Sequence, residues 1–258
     1  MHDDLSTVFP VEQTALVVAH PGHELRVWCW LEQVRPLTFI VTDGSGQSEQ
    51  SRVVFSRRLV QAAGARESTT FGVASDLAIY TAVLAGNHDF FRKLVDDIAS
   101  ELIRHRIRCV VGDAAEGRIM AHDLLREVRR EAVHLAERSL AWPITQYEYA
   151  LDSHPASHPP LAAHRIKKLH LSERDLVRKL SIARGYTAIE SIVDADIRAY
   201  GTQAFSVECL FACTDDSLLT RFDDGKFPYE LHGEAQVRLG RYRTVIRYRD
   251  HLVPILRQ

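Results

Sequence analysis

The chain has 258 residues, of which 46% are apolar and 26% charged, with a formal net charge of −2. These values fit one sizeable α/β domain with a real core, or one domain with a smaller appendage. The near-neutral charge gives no electrostatic footprint for nucleic acid or an anionic membrane, and no stretch is long enough to span a bilayer. The opening Met1-His2-Asp3-Asp4 is acidic and lacks the basic-then-apolar layout of a signal peptide, so a cytoplasmic location is expected. Cys29, Cys109, Cys209 and Cys213 include no C-x-x-C pair and suggest no disulfide framework; Cys29 and Cys109 lie in apolar runs and read as buried thiols.

The first half alternates strand-like and helix-like segments. Thr14 to Ala19 is a short apolar run rich in β-formers, as a strand buried on both faces requires. Leu25 to Val34 has helical apolar spacing and stops before Pro36. Leu37 to Thr42 is a second buried strand, followed by the turn residues Asp43-Gly44-Ser45-Gly46-Gln47. A helix is expected from Ser51 to Ala63, capped by Gly64, and a third strand from Ser68 to Val73. Phe90 to Arg104 is an amphipathic helix, Cys109 to Val111 a short strand, and about His122 to Leu140 a long helix. This alternation with short loops implies right-handed βαβ units and a mainly parallel sheet.

From Asp152 to His170 the composition changes. Pro155, Pro159 and Pro160 alternate with His154, His158, His164 and His170, which reads as an exposed arm rather than a second metal site. A helix is expected from Ser172 to Ala183, and a final basic-aromatic helix near Glu234 to Leu256. The arginines of that last segment share no single helical face with Tyr242 and Tyr248, so it reads as a solvated or subunit-contact face.

The residues that carry chemistry follow strand ends. Ala19-His20-Pro21-Gly22-His23-Glu24 comes directly after the first strand, where ligands bind in open parallel sheets. His20 and His23, three apart across a turn, can face one metal ion, and neutral imidazole is the commonest protein ligand of zinc. The plainer alternative is that they cap the next helix or bind backbone carbonyls. His122 opens the long helix after the Cys109–Val111 strand, and a third imidazole there would complete a facial triad with a position open for water. Thr42-Asp43-Gly44-Ser45-Gly46 lets the backbone approach a ligand closely, with a plain turn as the alternative. No G-x-G-x-x-G follows the first strand, which argues against dinucleotide binding.

These pieces, in this order, resemble the PIG-L/LmbE-like N-deacetylases, whose first motif is A-H-P-D-D-E where this chain reads A-H-P-G-H-E. Thr42-Asp43-Gly44 is similar to the T-x-G that ends the family's second strand, Arg52 and Gly64 to the start and end of its next helix, and Asp76 to its loop Asp. The match spans roughly residues 14 to 150; beyond it only a late strand around Phe205 to Phe211 is similar. The resemblance implies that His20 and His122 are metal ligands and that His23 replaces a ligating Asp. Gly22 stands at the family's general-base Asp, and Ile119 where the family has the other His of H-x-x-H.

The fold expected is therefore a three-layer, Rossmann-like α/β domain with a mainly parallel sheet. Residues 1–150 would form the metal-binding core, and 151–258 a loop or lid and helical C-terminal extension completing the same domain. The function expected is removal of an N-acyl group, N-acetyl first of all, from an amino sugar or related small metabolite. His20, His23 and His122 would hold Zn²⁺ or another divalent transition metal. Asp113 or Glu116 would relay the proton, and Arg52, Asp43 and Glu24 would line the substrate edge. The alternatives are a metal- or sugar-binding member without turnover, or a structural metal site closed by Asp123 or Glu24. The partner expected is a small N-acylated molecule, with a homo-oligomer possible.

Overall fold

The computed structural model describes residues 8–46, 50–160, 165–214 and 226–256. Seven strands form one sheet in the order β3-β2-β1-β4-β5-β7-β6. They are β1 (Thr14–Val18), β2 (Leu37–Thr42), β3 (Arg66–Ala74), β4 (Cys109–Asp113), β5 (Thr145–Tyr149), β6 (Ile166–His170) and β7 (Val207–Ala212). The five from β3 to β5 pair in parallel, and β7 runs antiparallel to both β5 and β6. This is the expected α/β class, with helices on both faces of a mostly parallel sheet.

Every residue of β1 and β2 is buried, which is why these strands read as unbroken apolar runs. Their alternation sorts two cores. Ala15, Val17, Phe39 and Val41 face α4 (His88–Arg104) and α5 (Met120–Leu140), while Leu16, Val18 and Ile40 face α1 (Trp28–Val34) and α2 (Val53–Ala62). The chain turns to one side of β1 to lay down β2 and β3 and to the other for β4 and β5. The switch point therefore lies between the carboxyl ends of β1 and β4.

Several expectations are corrected. The helix expected from Leu25 opens as a 3₁₀ turn, His23–Val27, and becomes α-helical only at Trp28. Here the Glu24 carboxylate accepts from the Gly22 amide at 2.9 Å and winds the chain tightly. Helix α3 (Asp76–Leu84) gave no amphipathic signal because its apolar residues go all round, with Leu77 and Leu84 facing solvent. Strand β5, T-Q-Y-E-Y, is polar enough to escape notice, although its Glu148 is buried. The arm expected over 152–170 ends in β6, whose I-K-K-L-H suits a charged sheet edge; His164 lies outside the described residues. The single helix expected from 234 to 256 is instead α8 (Pro228–Arg238), a π-turn at Tyr248–Leu252 and a last turn α9 (Val253–Leu256). Gly240, left-handed at φ +69°, lies just past the end of α8. Between β6 and β7 lie α6 (Glu173–Gly185) and α7 (Glu190–Tyr200).

All four cysteines are free thiols. Burial pushes the Cys29 and Cys109 thiols up to about 12, so both are inert at neutral pH.

Candidate metal centre

The carboxyl ends of β1 to β5 converge on three imidazoles. His20 leaves β1 by two residues, and its Nδ1 lies 2.6 Å from Thr42 Oγ1 at the end of β2 and 3.0 Å from Asp76 Oδ1 just past β3. His23 sits on the 3₁₀ turn, with Nδ1 2.9 Å from Asp113 Oδ2 at the end of β4. His122, in the first turn of α5, has Nδ1 3.5 Å from Asp152 Oδ2, just past β5. Each ring is thus set against a carboxylate from a different strand end.

A carboxylate only accepts, so the bond to Asp113 puts the proton of neutral His23 on Nδ1 and leaves Nε2 its lone pair. His20 Nδ1 bonds the Thr42 hydroxyl beside Asp76, and His122 Nδ1 has no hydrogen-bond partner among the described residues. Ligating histidines are commonly oriented this way by outer carboxylates. The ring centroids stand 5.2 Å (His20–His23), 5.0 Å (His20–His122) and 4.5 Å (His23–His122) apart. Three imidazoles on one tetrahedral ion, with metal–nitrogen distances of about 2.0–2.1 Å, put their centroids roughly 5 Å apart. Among the described residues no group of three or more His, Cys, Asp or Glu side chains is placed to hold a metal ion as it stands. The fit rests on the ring spacing.

The electrostatics agree for two of the three rings. Burial lowers the His20 imidazole to about 4 against the pull of Asp76, and burial likewise lowers His23 against Asp113. Both are neutral, ligand-ready bases at pH 7. Burial also disfavours charge on His122, but Asp152, Asp113 and Asp123 outweigh it and raise its pKa. Burial would raise the Asp113 carboxyl, yet His23, His122 and the Ala19 amide hold it down to about 2. Glu24 and Asp123 are each pushed up to about 7, chiefly by burial.

His20, His23, His122, Asp76 and Asp152 line a cavity of about 310 Å³. Arg52 lines it too, with its guanidinium Nε donating to the Gly44 carbonyl at 2.6 Å. The other residues singled out from sequence lie behind this wall. Asp43 accepts from the Ser45 amide and hydroxyl (2.9 and 2.7 Å). Glu24 accepts from the Gly22 amide and the Ser56 hydroxyl. Asp113 holds His23 and the Ala19 amide (2.7 Å), and Glu116 Oε2 accepts from the amides of Leu151 and Asp152, both at 2.7 Å. Asp123, once considered as a closing ligand, accepts from the Glu116 and Gly117 amides.

Asp152 escaped sequence reasoning. It opens the Pro- and His-rich arm, and only the pairing of β5 with β4 brings it to His122. The opposite cavity wall, from α6, α7 and the turn between them, was also missed as such, although Leu180, Ala183, Ile189, Ile192, Val193 and Ile197 recur at near-helical spacing. Gly22 meets this wall. Its φ is +105°, and a Cβ there would stand 2.8 Å from Ile189 Cδ1 and 3.6 Å from a Tyr186 ring carbon. The place of a side chain at position 22 is taken by apolar atoms.

No protein-family model matches the chain, and no curated protein matches it in sequence. Among solved structures it is similar to a triple mutant of a deacetylase of the teicoplanin biosynthetic pathway. That match has TM-score 0.52 and 14% identity, covering 80% of this chain and all (100%) of the other. It is also similar to the A40926 pseudoaglycone deacetylase, with TM-score 0.53 and 17% identity over 78% of this chain and 96% of the other. At such identities the shared property is the fold.

Proposed function

We propose that the chain is a metal-dependent hydrolase of the PIG-L/LmbE-like type, removing an N-acyl group from an amino sugar or a related small metabolite. One observation carries this reading: three imidazoles, two buried and one half-buried, gathered at the sheet's switch point beside a cavity, each with a carboxylate near its Nδ1. The likeness in fold to two deacetylases supports it. No described helix is long and apolar enough to cross a membrane.

His20, His23 and His122 would hold the ion. A divalent ion there supplies a Lewis acid for the amide carbonyl and lowers the pKa of water, and zinc is the first candidate. The protein's own groups do the rest. Asp113 keeps His23 in the Nδ1–H tautomer and orients its ring, and Asp76 with Thr42 flanks His20 Nδ1. Asp113 and Glu116 are the sequence's candidates for proton transfer. With Asp113 engaged by His23 and Ala19, and Glu116 by the 151–152 backbone, we assign them to orientation. Asp152 lies in the cavity wall with 24% of its side chain exposed, 3.5 Å from His122 Nδ1, and takes the proton-relay role; Asp196, also in the wall, is paired with Arg26. Arg52 stands where it can donate to a substrate hydroxyl or anionic oxygen.

The test is metal content and turnover together. The purified wild type should carry about one zinc or similar ion per chain and release amine from an N-acylated sugar in a broad panel. His122→Ala should keep the fold by circular dichroism and lose both properties. A wild type that takes up no metal after zinc loading would remove the mechanism. The filled position at Gly22 favours a second reading, a metal-holding binder without turnover; that reading wins if metal is bound stoichiometrically and no amide in the panel is cleaved.

A further inference from the structure

The cavity is two-faced. One side is the histidine cluster, and the other is mostly aliphatic: Leu180 and Ala183 from α6, Ile189 from the following turn, and Ile192, Val193 and Ile197 from α7, with Lys179 and Asp196 engaged by Glu208 and Arg26. Helix α7 has no fully buried residue; Val193 packs on the small cluster of Leu25, Ala183, Tyr186 and Ile189, while Ile192 is 57% exposed. Exposed aliphatic surface on a cavity wall gains nothing until apolar matter covers it. The wall also reaches the first turn, because Ile189 and Tyr186 stand where a side chain on Gly22, between its two histidines, would be.

We infer that this wall is an acyl-chain subsite, and that the substrate is an amide whose acyl group is longer than acetyl. The inference rests on the hydrolase reading above and names its substrate class. Geometry selects the acyl side over the amine side. The acyl carbons begin one bond from the carbonyl carbon, so an apolar wall that starts at Gly22 is met from the first methylene. An apolar group carried on the far side of an amino sugar is held away by the width of the polar ring, roughly 5 Å. Hydrolysis then yields the free fatty acid and the amine, water supplying OH to the acyl carbon and H to the nitrogen.

The experiment compares N-hexanoylglucosamine, N-acetylglucosamine and hexyl 2-acetamido-2-deoxyglucoside, all below micelle-forming concentrations. Binding is read by calorimetry and turnover by amine release, with wild type and Ile192→Asp, a change at an exposed position that leaves the core alone. The four added methylenes should give N-hexanoylglucosamine at least about tenfold tighter binding than the acetyl compound. Ile192→Asp should erase most of that preference. Equal binding of the two amides overturns the subsite, and so does a hexyl glycoside that matches or exceeds the hexanoyl amide. Preferential hexanoyl binding without cleavage of either amide keeps the subsite and defeats the hydrolase reading. Cleavage of both amides with equal affinity keeps the hydrolase and defeats the subsite.

Discussion

Two buried polar clusters meet at Asp113, whose backbone oxygen accepts from Arg129 Nη1 at 2.9 Å while its carboxylate holds His23. On one side Arg126, Arg129 and Glu148 form a closed set. Glu148 Oε1 accepts from Arg126 Nε and Arg129 Nη2, both at 2.6 Å, and Arg126 also reaches Glu127 and the Thr214 carbonyl. None of the three lines the cavity. On the other side each histidine turns Nδ1 toward a carboxylate and keeps the other nitrogen. Both clusters are dense in charge and nearly dry, so burial does not distinguish scaffolding from chemistry. What distinguishes them is whether the charges are paired inside the protein, where Arg129 Nε alone of the two guanidiniums lacks a partner, or stand at a cavity.

The sharpest way to break the comparison is to open the closed set. Glu148→Ala leaves the buried Arg129 without a carboxylate and Arg126 with Glu127 alone, and should cost about 3–5 kcal/mol in urea unfolding. A loss under about 1 kcal/mol would mean the pair is merely tolerated. The same group sets an acid limit. Burial would raise the Glu148 carboxyl, but Arg126 and Arg129 hold its pKa below the ordinary value of 4.5. Its contribution is complete above that value and is lost as pH falls through the lower folded-state pKa. Wild-type stability should therefore drop below about pH 4.5, and Glu148→Ala should flatten that part of the profile.

In the open set the expected effects are functional and smaller in stability. Asp76→Asn keeps the shape beside His20 but removes the carboxylate that flanks its Nδ1. Metal affinity should fall about 10- to 100-fold, read by competition with a chelating dye. An affinity unchanged within twofold would show that Thr42, 2.6 Å from the same nitrogen, orients the ring alone.

The closed set was illegible in the sequence, and the open one was largely legible. His20 and His23 follow an all-buried strand, and His122 starts a long amphipathic helix, so period and position expose them. Glu148 sits on a short strand with no apolar run, and its arginines lie 19 and 22 residues away on a helix whose charges read as solvated. Nothing local marks them as partners. The same holds for β6 and β7: their pairing joins His170 to Val207, 37 residues on, and Ile166 to Phe211, 45 residues on, which no turn signal encodes. The parallel half was readable because burial on both faces writes itself into every residue of a strand.

The least effect, and the one that ties the two walls of the cavity together, is expected at Gly22. Its left-handed backbone costs an L-residue about 1–2 kcal/mol, and an added Cβ would meet Ile189 Cδ1 at 2.8 Å. The tip of a flexible side chain can yield, so Gly22→Ala should stay within a few tenths of the backbone cost. Ile189→Val removes the opposing methyl, at about 0.5–1.5 kcal/mol on its own. If the walls touch as the structure places them, the double variant should be less destabilised than the sum of the singles by about that clash, a few tenths of a kcal/mol. Strict additivity would part the apolar wall from the first turn. With them in contact, Gly22→Asp should lower stability without raising amide turnover, because a carboxylate there is pushed against hydrocarbon and not toward the histidines.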